Sequence, residues 1–213
     1  MENVILVEKV TKKYKETKVL NNITIAFEKG KIHGIIGRNG SGKTVLIKTI
    51  CGLIRPDEGY VVVDGQVVGK DVDFPKNVGI IIEAPGFVST LSAYKNLDYL
   101  ASLRGVIGKE EIISAILKVG LDPYDKKHVG KYSLGMKQRL GLAQSIMENP
   151  DILILDEPMN GLDKEGVSEI RNILLYLKSE GKTIILVSHN TEDIQVLCDT
   201  VHEMDKGSLS TIL

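Results

Sequence analysis

The sequence predicts an α/β fold built around a parallel sheet, and three observations carry that prediction. Four short aliphatic and β-branched runs, at 32–36, 78–82, 152–155 and 183–187, lack the polar alternation of a half-exposed strand and read as strands buried on both faces. Longer amphipathic stretches lie between them. A glycine-rich segment joins the first run directly to a helical pattern at 42–52, the strand–loop–helix order of a βα unit.

Taken in order, the elements divide into three groups. Residues 4–10, 23–27 and 60–63 are shorter strands bounded by the turn sequences Glu28-Lys29-Gly30, Pro56-Asp57-Glu58-Gly59 and Asp64-Gly65, and they read as a separate, antiparallel β-subdomain. After the run at 78–82 the pattern turns helical, with candidate helices at 91–103 and 110–119 punctuated by Gly105, Gly108, Gly120 and Pro123. The expectation is a single domain, 1–213, in which residues 1–82 and 142–213 form the core with its β-subdomain and residues 83–141 an inserted helical subdomain. Small rotations of one lobe on the other follow from that arrangement.

Composition excludes several classes of function. With 43% hydrophobic residues the chain buries a real core, and a formal net charge of −1 leaves no basic footprint for nucleic acid. Any phosphate recognition must then be local. Cys51 and Cys198 stand far apart without metal-ligand spacing and read as two free, buried thiols of a reducing compartment. No apolar run approaches the roughly 20 residues of a membrane helix, and the first residues lack a signal peptide's order of charge and hydrophobicity. A cytoplasmic chain is expected.

Chemistry is concentrated in five segments. Gly37-Arg38-Asn39-Gly40-Ser41-Gly42-Lys43-Thr44 fits G-x-x-x-x-G-K-[ST], a P-loop whose backbone N–H groups cradle phosphates, with Lys43 reaching the β- and γ-phosphates and Thr44 on Mg²⁺. Asp156 ends the run at 152–155, where side chains enter the crevice at the strands' carboxyl ends, and is placed to hold Mg²⁺ through water. Glu157 beside it is the candidate base for an attacking water. His189 follows the run at 183–187 and emerges at the same edge, where an imidazole can donate to a γ-phosphate. Ser133-Leu134-Gly135-Met136-Lys137-Gln138 opens a helix at about 136–137 with unpaired N–H groups that form an anion site. The remaining histidines, His33, His128 and His202, have no such context and read as structural or exposed.

In this order, and with Asn160-Gly161-Leu162-Asp163 between the Asp156-Glu157-Pro158 and Ser188-His189 segments, the motifs resemble the ATP-binding subunits of ABC transporters over essentially the whole chain. The resemblance implies an ATPase with a P-loop NTPase core, using ATP and Mg²⁺. It implies a dimer of two such subunits, most simply two copies, in which Ser133 and Gly135 contact ATP held by the opposite subunit and Asp163 lies at the crossing. It also implies an adenine-stacking aromatic at Tyr14 and a separate transmembrane permease subunit, which would hold the chain at the inner face of the cell membrane. Nucleic acid is not among the expected partners. The rival readings are a soluble ABC ATPase acting on ribosomes or DNA, which usually carries two such domains or a coiled-coil insert, and a P-loop kinase, which has no need of the signature segment.

Two departures from the family pattern stand out. Leu134 and Met136 flank Gly135 where the signature is Leu-Ser-Gly-Gly-Gln, which puts the strength of that site in doubt. Glu83 occupies the junction between the run at 78–82 and the helical insert, where most relatives carry glutamine; an ionised glutamate only accepts, and is a candidate metal ligand. With Pro85-Gly86-Phe87 after it, this junction resembles ABC ATPases of export of, or self-protection against, peptide antibiotics such as bacitracin and lantibiotics.

Overall fold

The computed structural model describes residues 2–83 and 86–213; Pro85 therefore lies outside the described residues. Along the chain the elements are β1 (Asn3–Tyr14), β2 (Thr17–Glu28), β3 (Ile32–Ile36), α1 (Lys43–Ile50), β4 (Glu58–Val63), β5 (Gln66–Val67), β6 (Val78–Ile81), α2 (Ala93–Arg104) and α3 (Lys109–Lys118). They continue with α4 (Leu134–Ile146), β7 (Ile152–Asp156), α5 (Lys164–Ser179), β8 (Thr183–Val187), α6 (Thr191–Leu197), β9 (Thr200–Asp205) and β10 (Ser208–Thr211).

Two sheets result. A six-stranded sheet runs β10-β9-β3-β8-β7-β6, parallel throughout except for β10, which pairs antiparallel with β9 at one edge. A four-stranded antiparallel sheet runs β2-β1-β4-β5. The α/β class, the buried parallel strands and the separate antiparallel sheet are as the sequence predicts. The helical region begins after β6 as expected, but α4 runs unbroken across the expected border at 141/142, so that border falls inside a helix.

Period-two geometry explains why the parallel strands need continuous apolar sequence. Ile152 and Ile154 of β7, Ile185 and Val187 of β8 and Ile35 of β3 point to one face, where Leu46, Ile47 and Ile50 of α1 fill the space up to Val7, Leu20 and Phe27 of the antiparallel sheet. Leu153 and Leu155, Ile184 and Leu186 point to the other, against Leu97 of α2, Ile112 and Ile116 of α3, Leu140 of α4 and Ile170 and Leu174 of α5. Each strand thus serves two cores. Fully burying one such aliphatic side chain contributes roughly 1.5–3 kcal/mol, and a polar residue within these runs must find partners, as the buried His33 of β3 does.

The helical lobe is seated on the sheet by a close approach. A Cβ on Gly79 of β6 would lie 1.9 Å from the Ser145 carbonyl, so only glycine lets α4 settle directly on that strand. Helix starts are fixed by side chains: Ser92, Ser133, Asp163 and Asn190 each accept a backbone N–H in the first turn of α2, α4, α5 and α6. A cap of this kind stabilises by about 0.5–2 kcal/mol.

Sequence reading missed the C-terminal strands because β9 and β10 carry His, Glu, Ser and Thr rather than an apolar run. His202 on β9 is buried, with its Nδ1 at 3.0 Å from Thr211 Oγ1 of β10 and its Nε2 at 3.2 Å from Thr200 Oγ1. Burial pushes its imidazole down to about 4. His33 is likewise buried, with Nε2 at 2.8 Å from the Glu28 carbonyl and Nδ1 at 2.7 Å from Thr200 Oγ1. Both are structural, as expected of histidines without motif context.

Candidate active site

The glycine-rich segment leaves β3 at Gly37 and enters α1 at Lys43. Gly37 has φ 145°, and a Cβ there would meet the Met204 carbonyl of β9 at 2.2 Å, so this turn excludes every other residue type. Lys43, only 9% exposed, donates from Nζ to the carbonyls of Gly37 (2.7 Å) and Arg38 (3.0 Å), which holds its ammonium over the loop it must serve. Ser41 Oγ is buried with no hydrogen-bond partner. A buried hydroxyl left unpaired is costly in a folded chain. Its place in the glycine-rich loop, at the start of a helix with no acidic residue in its first turn, fits a phosphate group.

The opposing wall comes from two adjacent strand ends. Asp156 of β7 pairs in register with Val187 of β8, so that Glu157 and Ser188-His189 leave neighbouring strands side by side. Thr44 Oγ1 donates to Asp156 Oδ2 at 3.2 Å. Burial holds the Asp156 carboxyl above its usual value, an effect the Thr44 hydrogen bond opposes and the charge of Glu157 adds to. Such a carboxylate gains most from a neighbouring cation. Among the described residues no group of three or more His, Cys, Asp and Glu side chains converges on one point. One hydroxyl and one carboxylate therefore suit Mg²⁺, which takes few protein ligands and completes its shell with water and phosphate oxygens.

Glu157 is held at all its polar groups. Its φ is +50°, its N–H donates to Val187 O at 2.9 Å, and its carbonyl accepts from Asn160 N at 3.1 Å and from Gln138 Nε2 at 2.8 Å. His189 Nδ1 lies 2.7 Å from Glu157 Oε1 and donates to it, because an ionised carboxylate only accepts. Ser188, buried behind them, donates to Asp193 Oδ2 at 3.4 Å, and Asp193 is in turn ion-paired with Arg171 of α5 at 2.5 Å.

A cleft of about 530 Å³ is lined among others by Lys43, Thr44 and Val45 on one side, Asp156 and Glu157 on the other, and Leu134 and Gln138 of the signature segment; His189 stands behind Glu157 and does not line it. Glu83 also lines it, but its Oε1 accepts from Lys48 Nζ of α1 at 2.7 Å, and its φ is +60°. Tyr14 stands at the end of β1, about half exposed, with the Lys12 ammonium 5.7 Å from its ring; the cleft's lining on that side is Val19 of β2.

The signature segment and Asp163 are built differently. Ser133 Oγ accepts from Met136 N at 3.2 Å and caps α4; Asp163 Oδ1 accepts from Gly166 N at 2.8 Å and caps α5. Gly135 packs beside Leu162 and the Gly161 carbonyl, and the exposed Leu134 lies over Gly161, where a Cβ would meet it at 2.4 Å. The departure at Leu134 thus fills a contact between the signature helix and the loop that ends in Asp163. Sequence reasoning missed three contacts at the site: the Gln138 amide on Glu157, the Lys48 clamp on Glu83, and the Ser188–Asp193–Arg171 chain. Gln138 and Ser188 lie within the quoted motifs, but their partners depend on which side chains the fold brings together.

Comparison with known proteins agrees with this geometry. A family model described as ABC transporter matches residues 20–160. The chain is 48% identical, over 95% of its length and 93% of the relative's, to the uncharacterized ABC transporter ATP-binding protein YybJ of Bacillus subtilis (strain 168). It is 46% identical to the bacitracin transport ATP-binding protein BcrA of Enterococcus faecalis, over 98% of this chain and 68% of that one. Its fold superposes on the dimeric post-hydrolysis structure of the ATP-binding cassette MJ0796 bound to ADP and Pi with a TM-score of 0.87, at 21% identity and covering 98% and 99% of the two chains. With a cleft that fits a phosphate chain, relatives of this identity and a family match across most of the chain, the protein belongs to the ABC transporter family, as an ATP-binding subunit with ATPase activity.

Proposed function

We propose that the chain binds Mg·ATP, closes with a second copy over two nucleotides, hydrolyses them, and so drives a separately encoded membrane permease that moves or confers protection against a peptide antibiotic. The observation that carries the catalytic part is the pairing of Glu157 with His189 at 2.7 Å on the strand ends facing Lys43 and Thr44. With Oε1 engaged by His189, the other carboxylate oxygen takes the proton of an in-line water, and the imidazole keeps the carboxylate oriented. Lys43 and the loop N–H groups bind the phosphates; Tyr14 and the hairpin bearing it form the adenine side. Thr44 and Asp156 would hold Mg²⁺, which neutralises charge developing on the phosphate oxygens. Glu83 is a further candidate ligand, reached on release from Lys48.

Dimerisation supplies Ser133, Gly135 and Asp163 to the opposite nucleotide. Among the described residues no helix is long and apolar enough to cross a membrane. We assign the permease to another polypeptide, and this chain to the inner face of the cell membrane, on the likeness to transport ATP-binding proteins. The cargo rests on the likeness to BcrA and on Glu83 at the lobe junction. Single-turnover hydrolysis tests the catalytic reading. Glu157→Gln should bind ATP with unchanged affinity, turn over about 100-fold or more slowly, and accumulate ATP-bound dimers on sizing columns. Near-parental turnover would remove Glu157 from the role of base. For the cargo, co-expression with the neighbouring permease gene should raise bacitracin tolerance of a sensitive host.

A further inference from the structure

We infer that Gln138 is a positioning residue for hydrolysis: its side-chain amide fixes the backbone of Glu157 and thereby the direction of the carboxylate. The inference rests on the reading of Glu157 as the base. Glu157 occupies the left-handed region at φ +50°, which a non-glycine residue holds only where its surroundings over-determine it. Two of its restraints are local to the strand end: its N–H bonds to Val187 O at 2.9 Å, and its carbonyl accepts from Asn160 N at 3.1 Å in the following turn. The third comes from a different element. Gln138 reaches from α4 with its Nε2 at 2.8 Å from the same carbonyl, and it is only 6% exposed.

Burial makes this contact more than a convenience. A donor this buried loses much of its hydrogen-bond energy if the acceptor moves, so Gln138, which lines the cleft beside Glu157, and the Glu157 peptide shift together. Helix α4 is itself seated tightly, by Gly79 against Ser145 at one end and by Leu134 over Gly161 at the other. Gln138 lies five positions after the cap Ser133, about a turn and a half along the same rigid helix. The orientation of the base is thus referred to the helix that carries the signature segment, and not to the sheet alone. Carboxylate direction matters because a base acts only within hydrogen-bond reach of its proton, and a misplacement of about 1 Å can cost on the order of 100-fold.

The test uses Gln138→Met in the full chain, a substitution that keeps volume and removes the donor. The expected result is a turnover lowered about ten-fold with ATP affinity within about two-fold of the parent, a kcat effect without a binding effect. On a Glu157→Gln background the same substitution should change the residual rate by less than about two-fold, because there is no base left to orient. A general loosening of the fold would instead lower both backgrounds equally. Parental turnover in Gln138→Met beside an inactive Glu157→Gln overturns the positioning role alone. Losses that multiply on the Glu157→Gln background, or that appear in ATP affinity, also overturn it. Retained turnover in Glu157→Gln itself overturns both readings. Gln138→Leu gives a second measurement with the same expectations should the methionine variant not fold.

Discussion

The two edges proposed to handle nucleotide in this molecule are built on different principles. At the P-loop edge, Lys43 and Thr44 open α1 after the loop and Asp156 and Glu157 stand at the end of β7, and their side chains bond to one another, to the loop carbonyls or to His189. At the signature edge, Ser133 and Asp163 spend their side chains as helix caps, and Leu134 is largely exposed. The first edge is complete within one chain. The second is a pair of capped helix starts whose chemistry waits for something outside. The difference teaches that affinity for nucleotide and response to nucleotide are separable, because they reside on elements that share few residues.

The largest expected effect breaks the first edge. Lys43→Ala removes the buried ammonium and should weaken ATP binding to the monomer by roughly 100-fold, since hydrogen bonds to charged groups contribute about 1.5–3 kcal/mol each and 1.4 kcal/mol is ten-fold. Ser133→Asp probes the other edge. Aspartate caps a helix as well as serine does, so the melting temperature should stay within a few degrees. Its charge, however, opposes a phosphate approaching α4 from a second subunit, so ATP-driven dimerisation should fall at least ten-fold while monomer affinity stays parental. Titration and light scattering separate the two. A Ser133→Asp variant that lost monomer affinity as Lys43→Ala does would erase the distinction between the edges.

A smaller effect sharpens the account of the first edge as a cation site. Burial raises the Asp156 carboxyl, with the Glu157 charge adding to it, so the folded state binds a proton more readily than the unfolded chain does. Above the unfolded value near 3.8 the ionised Asp156 costs stability, and the cost grows until pH passes the raised folded-state value. Asp156→Asn should therefore melt a few degrees higher than the parent in the absence of metal and nucleotide, at about 2–4 °C per kcal/mol for a chain of this size. It should also lose most Mg²⁺-dependent hydrolysis. A parent that melted above Asp156→Asn without metal would show that the Thr44 hydrogen bond outweighs burial.

How much of this was legible before the structure depends on whether a feature is local. Strands 32–36, 152–155 and 183–187 and the P-loop were readable to within a residue because burial on both faces and a phosphate-binding turn each dictate residue types position by position. The C-terminal strands β9 and β10 were not, because His202 and the threonines beside it satisfy one another only after the strands meet. Helix α5 carries a local signal in Val167, Ile170, Leu174 and Leu177 at helical spacing. Contacts such as Gln138 to Glu157 lie beyond sequence altogether, since an amide on one helix and a carbonyl nineteen positions later acquire meaning only through the seat of α4 on β6.

The smallest effect concerns a residue at the junction of the sheet and the helical lobe. Glu83 leaves β6 toward the helical lobe with φ +60°, lines the nucleotide cleft, and is tied by a 2.7 Å ion pair to Lys48 on the P-loop helix. Both partners of that pair keep solvent access, with side chains 27% and 64% exposed, and such pairs contribute about 0–1 kcal/mol. Lys48→Ala should therefore move the melting temperature by no more than about 2 °C and leave ATP affinity within a few-fold of the parent. Its informative readout is the metal dependence of hydrolysis. With Lys48 gone, the carboxylate is released toward the side of the cleft that holds Thr44 and Asp156, and half-maximal activity should be reached at a lower Mg²⁺ concentration, by about two- to three-fold. Glu83→Gln on the same background should abolish that gain, because an amide oxygen attracts a divalent cation more weakly than a carboxylate does. An unchanged Mg²⁺ requirement in Lys48→Ala would leave Glu83 as a junction residue fastened to α1 and would return the cation site to the P-loop edge alone.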